Sequence, residues 1–319
     1  MVREASSEAV ARAARERSEQ ERETQRCQPT GFDPPLALGL VDQANTQGSG
    51  GDGHAAPVDT PHRGVTVAVD GVCRRFRTGF LALTGVDLTI GAGEMVAVVG
   101  PSGCGKSTLL KIIAGLLTPT DGVVDFGGDR PETGYVFQDA HLLPWRNAIR
   151  NVELFLEGDG VRKSERRDRA RQALRLVGLA DFEGSYPAEL SGGMKMRVSL
   201  ARTLATDPEL MLFDEPFAAL DEITRNRLNN DLIRLQRDRG VTGVFVTHSI
   251  GEATFLADRV AVMSPAPGRI VGIVDVPFGD DRSAALRTSA EFAAVARDVS
   301  EIMAAHEVAE EHEITGAQQ

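Results

Sequence analysis

"MVAVVGPSGCGKSTLLKIIAGLL", residues 95–117, decides what kind of sheet this chain builds. Its first residues are an unbroken apolar run, as expected of a strand buried on both faces. Glycines at 100, 103 and 105 then interrupt the run, and helix-forming sequence follows from Lys106. The stretch between, "GPSGCGKST" (100–108), satisfies G-x-x-x-x-G-K-[ST] in the strand-then-helix setting that gives the motif its physical meaning. Gly100, Gly103 and Gly105 let the backbone curl until successive N–H groups face a phosphate, and the helix start adds its positive end. Pro101, Ser102 and Cys104 occupy the remaining loop positions, with Cys104 read as filler. Lys106 is expected to reach the β and γ phosphates, Ser107 to ligate Mg²⁺, and Thr108 to add a contact.

Further apolar runs follow at "LMLF" (210–213), "GVFVT" (243–247) and "RVAVMS" (259–264), with helical patterns between them. That alternation implies a parallel sheet with helices around it. Upstream, Val65, Val67 and Val69 alternate with Thr66 and Ala68, and "VDLTI" (86–90) reads as a second strand. Between about 139 and 205 strand signals stop. "SERRDRARQALRLVGL" (164–179) and "GMKMRVSLARTLA" (193–205) look helical there, which makes a helical insertion in an α/β core. Phe292, Val295, Ala296, Val299, Ile302 and Met303 form one apolar stripe of a late helix, followed by polar residues expected to fray.

Carboxylates stand where the sheet meets the phosphate loop. "LMLFDEP" (210–216) ends its strand in Asp214, which can hold Mg²⁺ through water, and Glu215, placed to accept a proton from attacking water. His248 follows its strand at the C-terminal end, where ligands bind in such sheets. Gln138, after "TGYVF", is placed to ligate Mg²⁺ or orient water. "LSGGMKMR" (190–197) then begins a helix with Ser191, Gly192 and Gly193, a second anion-binding end. Since the chain already owns a phosphate loop, this end most simply serves a nucleotide held by another copy.

Bulk properties set bounds. An apolar fraction of 42% supports a proper core, and a formal net charge of -11 argues against non-specific nucleic-acid binding. Cys27, Cys73 and Cys104 lack CxxC spacing and suggest neither a disulfide framework nor a zinc site. There is no apolar run of about 18 residues and no apolar leader near the start, so an intracellular soluble chain is expected. Residues 1–63, rich in alternating charge and then in Gly and Pro, are expected to form a disordered tail.

Six stretches in one order now make the chain resemble the ATP-binding subunit of an ABC transporter. They are "GPSGCGKST", "FQD" around Gln138, "LSGGMKMR", "LMLFDEP", "AALD" ending at Asp221, and "THS" around His248. The resemblance implies a P-loop ABC cassette of α/β class: a RecA-like parallel-sheet core, an N-terminal antiparallel β subdomain and an inserted helical subdomain. It would span about 64–280, with the helical part near 139–205 and residues 281–319 forming a C-terminal helix and polar tail. It implies ATP and Mg²⁺, and a head-to-tail dimer in which Ser191, Gly192 and Gly193 of one copy close the nucleotide site of the other. On matching positions it makes Phe76 the aromatic under adenine, Glu215 the catalytic base, His248 the switch histidine and Asp221 the coupler between sites.

"DAHLLPWRNAIRNVELFLE" (139–157) and "PFAALDEITR" (216–225) are similar to the importer branch handling nitrate, sulfonates and taurine. That branch implies membrane permease subunits as partners, a solute-binding protein reached indirectly, and a place on the cytoplasmic face of the membrane. Trp145 stands where such importers receive the permease's coupling helix, or is buried under a loop. Met196 replaces the commoner glutamine after the glycine pair. Two rivals differ in class. A soluble cassette acting on ribosomes or DNA would carry a repeated phosphate loop or a heptad insertion, and neither is present. A regulatory cassette with dead chemistry would lack Glu215 and His248.

Overall fold

The computed structural model describes residues 64–316 apart from 159, 280 and 281, so the tail expected over 1–63 lies outside the described residues. Two sheets organise the rest. Strands β1 (Val67–Arg75), β2 (Leu81–Ile90) and β4 (Asp121–Asp125) form an antiparallel sheet in the order β2-β1-β4. The second sheet has six strands in the order β5-β6-β7-β3-β8-β9. Its members are β3 (Met95–Val99), β5 (Thr133–Val136), β6 (Leu210–Asp214), β7 (Thr242–Val246), β8 (Arg259–Met263) and β9 (Ile270–Asp275). Pairing is parallel throughout except between β8 and the edge strand β9. All four apolar runs expected as core strands are there. The short β4, the edge strand β9 and the full length of β1 and β2 go beyond the sequence pattern.

Alternation along β3 divides the interior. Val96 and Val98 face one cluster, with the antiparallel sheet and helix α1 (Lys106–Ile113). Met95, Ala97 and Val99 face the other, with the remaining helices. Every residue of β3 is buried, which explains its continuous apolar run. Helices α2 (Ala148–Gly158), α3 (Lys163–Leu176) and α4 (Gly192–Leu204) lie between β5 and β6 in the chain, within the window expected for a helical insertion. Met196 is buried in their core, packing rather than lining a surface. Trp145 is 71% exposed, so the reading that buries it under a loop is excluded.

The remaining helices are α5 (Glu222–Arg239), α6 (Ile250–Leu256) and α7 (Ala290–Gly316). Phe292, Val295 and Val299 of α7 are buried, with Ile302 and Met303 packed beside them. The helix runs on to Gly316, where fraying was expected. Ala and Glu dominate that stretch, and both favour helix. Among the described residues no helix is long and apolar enough to cross a membrane.

Candidate nucleotide-binding and hydrolysis site

The ends of three parallel strands make one edge. Val98 of β3 and Asp214 of β6 both pair with Val246, the last residue of β7, so their following loops emerge side by side. Loop 100–105 leaves β3 there. A Cβ on Gly100 would lie 2.8 Å from the Met263 carbonyl oxygen, and one on Gly105 would lie 2.6 Å from Leu83 Cδ2. Gly105 also has φ 105°, and Gly103 has φ 80° with open space around it. The first two glycines are thus demanded by packing, and Gly103 by backbone conformation on an open side. The Cys104 side chain is buried beneath the loop, and burial pushes its thiol up from the ordinary value. Ligand contacts at that position are left to the backbone.

Helix α1 starts without a side-chain cap. Helices α4, α5 and α6, by contrast, are capped by Ser191, Asp221 and Ser249. The first-turn N–H groups of α1 therefore keep their donor capacity for an anion. Lys106 Nζ is buried and donates to the carbonyl oxygens of Gly100 and Pro101 at 2.9 and 2.8 Å. This holds the ammonium inside the loop. Ser102 is exposed, and Pro101, Ser107 and Thr108 are partly so.

Hard oxygen donors gather next to it. Ser107 Oγ donates to Asp214 Oδ1 at 2.6 Å, and the Tyr135 hydroxyl donates to Asp214 Oδ2 at 2.9 Å. Oxygen ligands of this kind suit Mg²⁺. Burial first, then the charge and hydrogen bond of Asp214, raise the Tyr135 phenol far above its ordinary range, so it stays a donor. Glu215 follows with φ 48°, a left-handed backbone that non-glycine residues seldom adopt, while its N–H donates to the Val246 carbonyl at 3.0 Å. The turn brings Glu215 Oε2 within 3.2 Å of His248 Nδ1, and His248 is well exposed. Gln138, two residues past β5, is exposed at the same edge by the parallel register of β5 with β6.

The other expected contact groups lie elsewhere on the chain. Ser191 and Gly192 are exposed, and Ser191 Oγ accepts the Met194 N–H at 3.3 Å. A Cβ on Gly193 would lie 2.7 Å from Thr224 Cγ2, whereas one on Gly192 would keep 3.9 Å from Leu220. Asp221 Oδ1 accepts the Thr224 N–H at 3.0 Å, and that bond holds its carboxyl below the usual range. Phe76 is half-buried, stacked at 6.5 Å on Phe80 and covered by the Arg74 guanidinium.

Residues 83–218 match the model of the ABC transporter family. An uncharacterized ABC transporter ATP-binding protein of Methanocaldococcus jannaschii is 48% identical over 216 residues, 66% of this chain and 80% of that protein. This chain belongs to the ABC transporter family. A taurine import ATP-binding protein of Yersinia pestis bv. Antiqua is 44% identical over 228 residues, covering 68% of this chain and 89% of that one. A dimeric, post-hydrolysis ATP-binding cassette bound to ADP and Pi aligns with TM-score 0.59 and 34% identity, covering 67% of this chain and 100% of that structure.

The chain is thus an ABC ATP-binding subunit and an ATPase, with the α/β P-loop fold that its motifs implied. Two residues of this ABC cassette escaped sequence reasoning. Tyr135 sits in "TGYVF", but its bond to Asp214 joins positions 79 apart in the chain. Phe80, 52% exposed, pairs with Phe76 across a tight turn closed by the Phe76 N–H to Phe80 carbonyl bond. An aromatic four residues from another in a strand–turn–strand pattern was the available signal.

Proposed function

We propose that the chain energises uptake of a small solute, such as taurine, another sulfonate or nitrate, through a separate permease. It works on the cytoplasmic face of the membrane as a head-to-tail pair of cassettes, and a solute-binding protein delivers the solute to the permease. Taurine is favoured because relatives at about this similarity carry that name. In this reading residues 64–280 form the ATPase domain, 139–205 its helical subdomain, and 281–319 a C-terminal helix and tail.

Lys106 and the backbone N–H groups of residues 100–108 other than Pro101 hold the ATP phosphates, and Phe76 stacks on adenine. Ser107, Gln138 and Asp214 would hold Mg²⁺, which supplies charge neutralisation on the phosphates when bound. Glu215 takes a proton from the attacking water, and His248, hydrogen-bonded to Glu215 in the free chain, orients water and phosphate. Ser191, Gly192 and Gly193 of the second copy complete the charge cage, and Asp221 links the two sites. One observation supports this most: the strained Glu215, beside His248 and next to Asp214, stands where strand ends and phosphate loop converge.

Membrane vesicles carrying the cognate permease would test it. Labelled taurine is expected to accumulate inside only when this chain and MgATP are both present. Phosphate release without accumulation of taurine, nitrate or an alkanesulfonate would overturn the importer reading.

A further inference from the structure

Tyr135 lies outside the motifs that carry the proposed mechanism, yet it completes the hydrogen bonding of Asp214. In the parallel register of β5 and β6, Tyr135 is level with Leu212, two residues short of Asp214, so the two share a face. The carboxylate is held from both sides. Ser107, on the first turn of α1, donates to Oδ1 at 2.6 Å, and Tyr135, on β5, donates to Oδ2 at 2.9 Å. The terminal torsion of an aspartate is broad, so one hydrogen bond alone leaves the carboxylate plane loosely defined. A second bond from a different element fixes it. The Tyr135 ring is itself braced, 4.3 Å from the ring of Phe137, which in turn meets His141 edge-on at 5.5 Å.

We propose that Tyr135 is a positioning residue of the cation site, its phenol holding the Asp214 carboxylate so that Oδ1 stays turned toward Ser107. The inference rests on the proposed metal roles of Ser107 and Asp214. Groups that orient a metal site's own ligands commonly change metal affinity by about tenfold or more when removed.

The test is a titration of the full chain with a fluorescent ATP analogue, once with Mg²⁺ and once with EDTA. Tyr135→Phe keeps the ring and removes only the hydroxyl. It is expected to leave affinity in EDTA unchanged and to cut the Mg²⁺-dependent tightening by about tenfold. In an Asp214→Asn background the same substitution is expected to have no further effect, since coupled residues are not additive. Equal loss with and without Mg²⁺ would mark a merely structural tyrosine and overturn the proposal. So would a variant that responds to Mg²⁺ as the wild type does. A wild type whose nucleotide affinity ignores Mg²⁺ would instead sink the metal roles of Ser107 and Asp214, and the role of Tyr135 with them.

Discussion

Glu215 holds φ 48°, and its side chain meets His248 Nδ1 at 3.2 Å. Such a residue costs about 1–3 kcal/mol and persists where surrounding structure enforces it, commonly in a working site. Two substitutions separate strain from chemistry. Glu215→Gln is expected to keep ATP binding and lower the rate of phosphate release by about 100-fold or more, as for loss of a general base. Glu215→Gly should be equally inactive yet melt about 2–4 °C higher, because glycine relieves roughly 1 kcal/mol of strain. Turnover at the wild-type rate in the first variant would refute the base assignment, and a lower melting temperature in the second would refute the strain. Lys106→Ala, which removes a charge-assisted donor, is expected to weaken ATP binding by about 10-fold or more, measured by equilibrium titration. The phosphate loop was legible residue by residue because its motif is contiguous in the chain, although the packing that demands Gly100 and Gly105 comes from Met263 and Leu83, far along the chain. Tyr135 and the depth of Cys104 were not, since both are set by what the fold brings near.

Among elements, the start of α4 separates the two uses of a bare backbone. At Gly193 a methyl group would meet Thr224 at 2.7 Å, so Gly193→Ala is expected to destabilise by about 1–3 kcal/mol, seen as a lower melting temperature. At Gly192 there is room, with Leu220 at 3.9 Å. Gly192→Ala should therefore melt no lower than wild type, while losing phosphate release if a second copy's nucleotide closes on that backbone. Unchanged turnover there would remove Gly192 from the composite site. Long, strongly patterned elements such as β3, β6 to β8 and the buried stripe of α7 could be read from their apolar periods. The edge strands β4 and β9 could not. No residue of β4 or β9 is fully buried, and β4 carries just two apolar side chains.

For the molecule as a whole, stability and assembly give separate handles. Burial holds the Glu252 carboxyl above its ordinary range, against the pull of the Thr247 hydroxyl and the Arg225 charge. The folded chain thus keeps this proton where the unfolded chain has lost it, and the group's contribution to stability falls as pH rises past the unfolded value. Glu252→Gln should gain in melting temperature relative to wild type as pH is raised from acid toward neutral. A difference that stays flat with pH would contradict that origin. The assembly claim is larger: each cassette owns only part of its reaction chamber, and Ser191 to Gly193 of a second copy supply the rest. Sedimentation of Glu215→Gln, which should trap ATP unhydrolysed, tests this most directly. With MgATP the account predicts a particle of twice the 34.2 kDa chain mass, reverting to one chain when nucleotide is removed. A single-chain particle at saturating MgATP would contradict it.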